Sequence, residues 1–199
     1  MRACALSLAA VVALLPFAAR AQRTSGGESV SETNAPREAA QYDFLVGQWE
    51  LTVSPKVSGL VGMIHGAPRL HGSWKGARAL DGWGVEDELR IADESGNPVA
   101  YTHFVRMYDA QMKKWIVASM DVFRKRATIA SSEWQGGVMV SMSDGLDPDG
   151  KPYRTRTRIT DITPAAFHLQ QDVSYDKGAT WDEAHLVIDA KRMGGTASQ

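Results

Sequence analysis

The sequence predicts an all-β domain: an antiparallel, up-and-down β-barrel of about ten strands with a short N-terminal helical turn. Three observations predict it. Short segments rich in Val, Ile, Thr, Tyr, Phe and Trp follow one another at near-regular spacing. Tight-turn sequences punctuate them: Glu94-Ser95-Gly96-Asn97-Pro98, Gln135-Gly136-Gly137, Asp147-Pro148-Asp149-Gly150 and Asp176-Lys177-Gly178. Helical patterning is confined to one short stretch, Ala39 to Leu45, and no G-x-G-x-x-G, P-loop or βαβ alternation competes. Many short strands with almost no helix make a sandwich or a barrel.

In chain order, the first element is a leader. Arg2 supplies a positive start, Ala5 to Ala18 is apolar but for Ser7, and Ala19-Arg20-Ala21 is a small-x-small cleavage pattern. The run is too short to span a bilayer, so 1–21 reads as a signal peptide with the mature start at Gln22, and the protein as periplasmic or secreted. Cys4, the single cysteine, lies inside that leader. A mature chain without it has no disulfide and no thiolate ligand. The polar stretch 22–38 carries no apolar period and reads as a disordered linker. The domain then spans 39–193, with 194–199 a frayed tail.

Candidate strands are Gln48–Ser54, Arg69–Gly76, Ala79–Ala92, Val99–Tyr108, Trp115–Val122, Ala127–Trp134, Val138–Ser143, Tyr153–Asp161, Ala166–Tyr175 and Glu183–Arg192. One segment breaks the rhythm. Pro55 to Pro68 spaces Gly59, Gly62 and Gly66 among Val57, Leu60, Val61, Met63 and Ile64. It reads either as a glycine-rich flap over one end of a barrel or as an irregular edge strand on its outside.

Tyr42-Asp43-Phe44-Leu45-Val46-Gly47-Gln48-Trp49 places an aromatic turn before a Gly-x-Trp that opens a strand. With Leu80-Asp81-Gly82, Glu86-Asp87-Glu88, Ile162-Thr163-Pro164-Ala165-Ala166-Phe167 and Ser174-Tyr175-Asp176-Lys177-Gly178-Ala179-Thr180-Trp181, it forms an ordered set along the whole domain. In that set the chain resembles the domain of unknown function 1579 family of secreted bacterial proteins. The resemblance implies a lipocalin-like, calycin-type barrel and no particular activity. It also implies a structural plug of Phe44, Gly47 and Trp49, with Arg192 (or Lys191) from the last strand packing on the indole. A guanidinium over an indole contributes about 0.5–2 kcal/mol. The sequence departs from the family's usual Gly-Gly-Lys at Lys177-Gly178-Ala179, a change a hairpin tolerates.

Candidate chemistry is sparse. The histidines His65, His71, His103, His168 and His185 form no H-x-H or HExxH pair, so no metal site is expected. His185-Leu186 is similar to the haem-ligating position of nitrobindin-like barrels, which makes haem a remote alternative. Glu86 and Glu88 share a face with Arg90 but have no accompanying nucleophile, so no catalytic residue is assigned. Arg154, Arg156 and Arg158 lie on one face of one strand. Outside, they are solvated charge; inside, they need carboxylates such as Asp172, Asp121, Glu86 or Glu88. Within Trp115-Ile116-Val117-Ala118-Ser119-Met120, the row of Ile116, Ala118, Met120 and Val122 is the expected lining, joined by Phe104 and by Arg158 with Asp172. Methionine suits an adaptable apolar wall.

The charge balance, 22 basic against 23 acidic residues, argues against nucleic acid as a partner. The expected function is enclosure of a small, largely apolar or amphipathic molecule, with no cofactor and no membrane insertion. Two alternatives stand beside it: an enzyme with a polar barrel interior, and a filled barrel that serves as a protein-interaction module. The sequence leaves the oligomeric state open.

Overall fold

The computed structural model describes residues 34–57 and 67–194 of the chain. The predicted leader, most of the predicted linker and most of the glycine-rich segment read as a flap or an edge strand lie outside the described residues. Within them are ten strands: β1 (Gly47–Pro55), β2 (Leu70–Ala79), β3 (Gly84–Asp93), β4 (Pro98–Asp109), β5 (Lys114–Asp121), β6 (Arg126–Gln135), β7 (Val138–Leu146), β8 (Pro152–Thr160), β9 (Ala166–Ser174) and β10 (Asp182–Arg192). Each pairs antiparallel with its sequence neighbour, and β1 pairs with β10 to close the barrel. Closure leaves no free sheet edge.

Two 3-10 turns, Arg37–Ala40 and Asp43–Leu45, precede β1. Arg37 and Glu38, placed in the linker by their composition, thus belong to the first turn, and Ala39 is buried. A third 3-10 turn, Leu80–Gly82, interrupts the long strand expected over Ala79–Ala92. Leu80 and Asp81 there take positive φ values of 54° and 49°.

The turns before β1 seal one end of the barrel. Tyr42 and Leu45 are fully buried, beside Trp49, Trp115, Met139, Ile159 and Phe167. Trp49 donates from Nε1 to the Leu45 carbonyl at 3.2 Å and meets Phe167 edge-on at 4.8 Å between ring centroids. Arg192 lies 4.1 Å from the Trp49 ring centroid. Its Nε donates to the Pro164 carbonyl at 2.5 Å and its Nη1 to the Val46 carbonyl at 2.8 Å. Lys191 sits on the other face of β10, opposite Glu50, so Arg192 alone stacks on the indole. Glycine is required where these parts approach most closely. At Gly76 a Cβ would stand 2.5 Å from the Leu45 carbonyl oxygen, and at Gly47, with φ of 118°, it would meet Arg192 Nη1.

The opposite end is the mouth, where β5 turns into β6, β7 into β8 and β9 into β10. Asp93 and Asp147 each accept backbone N–H groups from their own turns, which locks the β3–β4 and β7–β8 hairpins.

Candidate functional site: an amphipathic lumen

Strand alternation divides each strand into an inner and an outer row, and the cross-strand register links the inner rows around the barrel. On one side the inner row is apolar. Leu51 and Val53 of β1, Leu89 and Ile91 of β3, Leu169 of β9 and Ile188 of β10 are all buried.

The other side is lined with hydroxyls. Ser132, Ser141, Thr157 and Gln171 follow one another across β6 to β9, and Ser143 pairs with Thr155 one row nearer the mouth. Phe104, Ser119 and Thr128 stand side by side across β4 to β6, one inner row nearer the mouth again. Neighbours are joined by hydrogen bonds: Ser132 with Ser141 at 2.6 Å, Ser143 with Thr155 at 2.7 Å, and Gln171 Nε2 to Thr157 at 3.2 Å. A hydroxyl has one donor and two acceptor sites, so these contacts leave capacity unused. Ser132 is buried, but Thr102, Ser119, Thr128, Ser141, Ser143, Thr155, Thr157 and Gln171 all remain partly accessible. Inward side chains of a filled barrel lose contact with water on every side. These keep it, so among the described residues the inward rows along β4 to β8 stay accessible toward the mouth.

Below the hydroxyl arc lies a sealed ion pair. Asp87 and Arg106 project inward from β3 and β4, and both are buried. Arg106 grips the carboxylate with Nε at 2.5 Å and Nη2 at 3.0 Å, and Trp74 Nε1 adds a bond of 2.7 Å. The guanidinium lies 4.7 Å from the centroids of both Tyr42 and Phe104. Burial disfavours its charge, yet Asp87 and Tyr42 beside it raise its pKa above the ordinary arginine value. Tyr42 also touches Ser141 through its hydroxyl at 3.3 Å, linking the pair to the arc.

At the mouth, Arg126 opens the inner row of β6. Its Nη1 donates to the Leu146 carbonyl at 3.2 Å, and the guanidinium lies 5.8 Å from the Tyr153 ring. Tyr153 crosses the inner side of Gly145, whose absent side chain makes room for the ring. Asp121, the cross-strand neighbour of Arg126, is engaged elsewhere. It accepts from the Arg124 backbone at 2.9 Å and from Arg124 Nη1 at 2.6 Å.

The expected lining needs correction. Phe104 faces the lumen, but on β5 the inner row is Trp115, Val117, Ser119 and Asp121. Ile116, Ala118 and Met120 form the outer row, with Met120 61% exposed, and Val122 is exposed in the following turn. Arg158 and Asp172 do meet, Nη2 to Oδ2 at 2.9 Å, but on the outer face of β8 and β9. There Asp172 is 0% exposed, covered by Arg156 and Arg158, with Gln170 Nε2 and the Ala184 N–H as further donors. His185 is exposed and tied through Nδ1 to Asp182 at 3.1 Å, so it offers no imidazole to the lumen. Sequence reasoning missed the Asp87–Arg106 pair and the hydroxyl arc.

A groove of about 540 Å³ runs along the outer flank by the β5–β6 turn, lined by Tyr101, His103, Met120 and Lys125, with Asp121 and Arg126 at its edge toward the mouth. It lies on the surface and encloses nothing. Among the described residues, no group of three or more His, Cys, Asp or Glu side chains is placed to hold a metal ion. No helix among them is long and apolar enough to cross a membrane.

Fold and lumen together define a lipocalin-like barrel with one apolar and one hydroxyl wall. No protein-family model matches the chain, and no curated protein matches it. Among solved structures it is similar to the S-type phycobiliprotein lyase CPES from Guillardia theta, with a TM-score of 0.54 and 11% sequence identity. The match covers 79% of this chain and 96% of that one. At this identity the likeness is one of fold.

Proposed function

We propose that the chain is an exported small-molecule-binding protein, carried out of the cytoplasm by its leader, and a member of the domain of unknown function 1579 family. Its ligand is amphipathic rather than largely apolar. The apolar side of the ligand lies against β9, β10 and β1 to β3, and its hydrogen-bonding side against the hydroxyl arc. The observation that carries this reading is the arc itself: inward serines and threonines that remain in contact with water opposite a dry apolar wall. Each 100 Å² of ligand surface laid on that wall contributes about 2.5 kcal/mol. Hydroxyls with unused donor and acceptor sites fix the ligand's orientation. The sealed, mutually neutralised Asp87–Arg106 pair supports binding over catalysis, since it leaves no free acid or base at the lumen floor. The likeness to the lyase supports the barrel from which the reading starts; nothing of that protein's substrate is carried over.

The test is titration with the neutral fluorophore N-phenyl-1-naphthylamine, followed by its emission. Saturable enhancement is expected for the wild type, and a loss of it for Ser119→Leu/Thr155→Leu, which fills the open arc. Absence of any enhancement with the wild type would overturn the reading.

A further inference from the structure

Among the described residues four arginines, Arg78, Arg106, Arg126 and Arg192, stand in the inward phase of their strands, and three of them are satisfied; Arg78 pairs with Asp43. Arg106 holds Asp87 with both donors of one edge. Arg192 is clasped by backbone carbonyls and the Trp49 ring. Arg126 differs. No carboxylate among the described residues pairs with it, and Asp121, its neighbour across the ladder, is held by Arg124. Its Nη1 is occupied by the Leu146 carbonyl, whereas Nε is shielded from water and has no acceptor. An unmatched cation with an orphaned donor, at the accessible mouth end of the inner rows, is an incomplete site.

Resting on the lumen reading above, we propose that Arg126 anchors a carboxylate at the ligand's outer end, so that the ligand class is an amphipathic organic acid. The unoccupied edge of the guanidinium, Nε with Nη2, is the two-donor fork that matches the two oxygens of a carboxylate. Arg106 uses the same edge on Asp87 within this barrel. Engaging Nε requires only that the side chain turn from its shielded position toward the lumen, which also relieves the orphaned donor. Tyr153 supplies the flat wall against which the headgroup packs. Below it, Thr128 and Ser132 continue the inner row of β6. From Arg126 to Ser132 the strand runs about 20 Å, or about 15 Å along the axis of a barrel with ordinary strand tilt. Ser132 itself is buried, so the body of the acid takes only the upper part of that depth, from Arg126 to Ala130.

The experiment displaces bound N-phenyl-1-naphthylamine with dodecanoate or with dodecan-1-ol, on wild type and on Arg126→Gln. Dodecanoate is expected to compete more strongly than the alcohol on the wild type. Arg126→Gln should weaken dodecanoate by about 10- to 100-fold, the range set by hydrogen bonds to a charged group, and leave the alcohol and the fluorophore unchanged. Arg126→Lys, which keeps the charge without the fork, should recover part of the loss. Unchanged fluorophore binding certifies that the variant is folded. If acid and alcohol compete equally, or if Arg126→Gln spares the acid, the carboxylate anchor is wrong while the lumen reading stands. If the fluorophore fails to bind the wild type, the lumen reading fails and the anchor with it.

Discussion

Asp87 shows what a single side chain contributes here. It is sealed beneath the lumen with Arg106 and Trp74 as its donors. A buried ion pair adds little over a well-packed apolar pair, but removing one partner strands the other. Asp87→Asn is therefore expected to destabilise the protein by about 3–5 kcal/mol, read from urea unfolding. A comparable loss of about 3–5 kcal/mol is expected for Trp49→Ala, which opens a cavity between Leu45, Phe167 and Arg192. A midpoint that barely moved for Trp49→Ala would mean that the indole is not the plug. The signal for Asp87 was present in the sequence. Alternation sets Asp87 in phase with Val85, Leu89 and Ile91, while Glu86 and Glu88 fall on the opposite face. An acid in the apolar phase of a strand calls for a buried cation, and Arg106 stands in the same phase as Phe104 and Tyr108. The partnership itself was not legible, because it depends on the β3–β4 register.

At the level of elements, β5 explains one of the two inverted readings. Both of its rows are largely apolar, and the outer one, Ile116, Ala118 and Met120, is the more uniformly so. The rule that apolar residues face inward assumes a filled interior. The inward rows along β4 to β8, which stay partly accessible, reverse it, with Ser119 and Asp121 inside and Met120 outside. The arginine row of β8 illustrates the same limit. It lies outside, yet it is more than solvated charge, because it roofs Asp172 and through Ala184 pins the bulge of β10. Ala184 has a φ of 54°, and the β9–β10 register shifts across this point. Burial pushes the Asp172 carboxyl up, but Gln170, the Ala184 N–H, Arg156 and Arg158 together hold its pKa below the usual value. The sign follows from linkage. With the folded pKa depressed, the stabilisation is complete above the unfolded value of about 3.9 and is lost as pH falls through the folded one. Asp172→Asn should thus be less stable than wild type at pH 7, with the gap closing below about pH 4. Urea unfolding at both pH values checks this, and a gap independent of pH would contradict it.

For the molecule as a whole, strand number and antiparallel order were legible because turn chemistry and β-propensity recur along the chain. Closure followed from the aromatic plug motif that opens β1. The inward hydroxyl rows were not legible, since an inward serine and an outward serine look alike until the register is known. The amphipathic lumen is the central claim, and native mass spectrometry of the protein purified without detergent, then incubated with N-phenyl-1-naphthylamine, tests it most directly. The account predicts a discrete added mass, carried over from the producing cell or supplied by the fluorophore, that disappears on denaturation. A bare polypeptide mass under both conditions would contradict it.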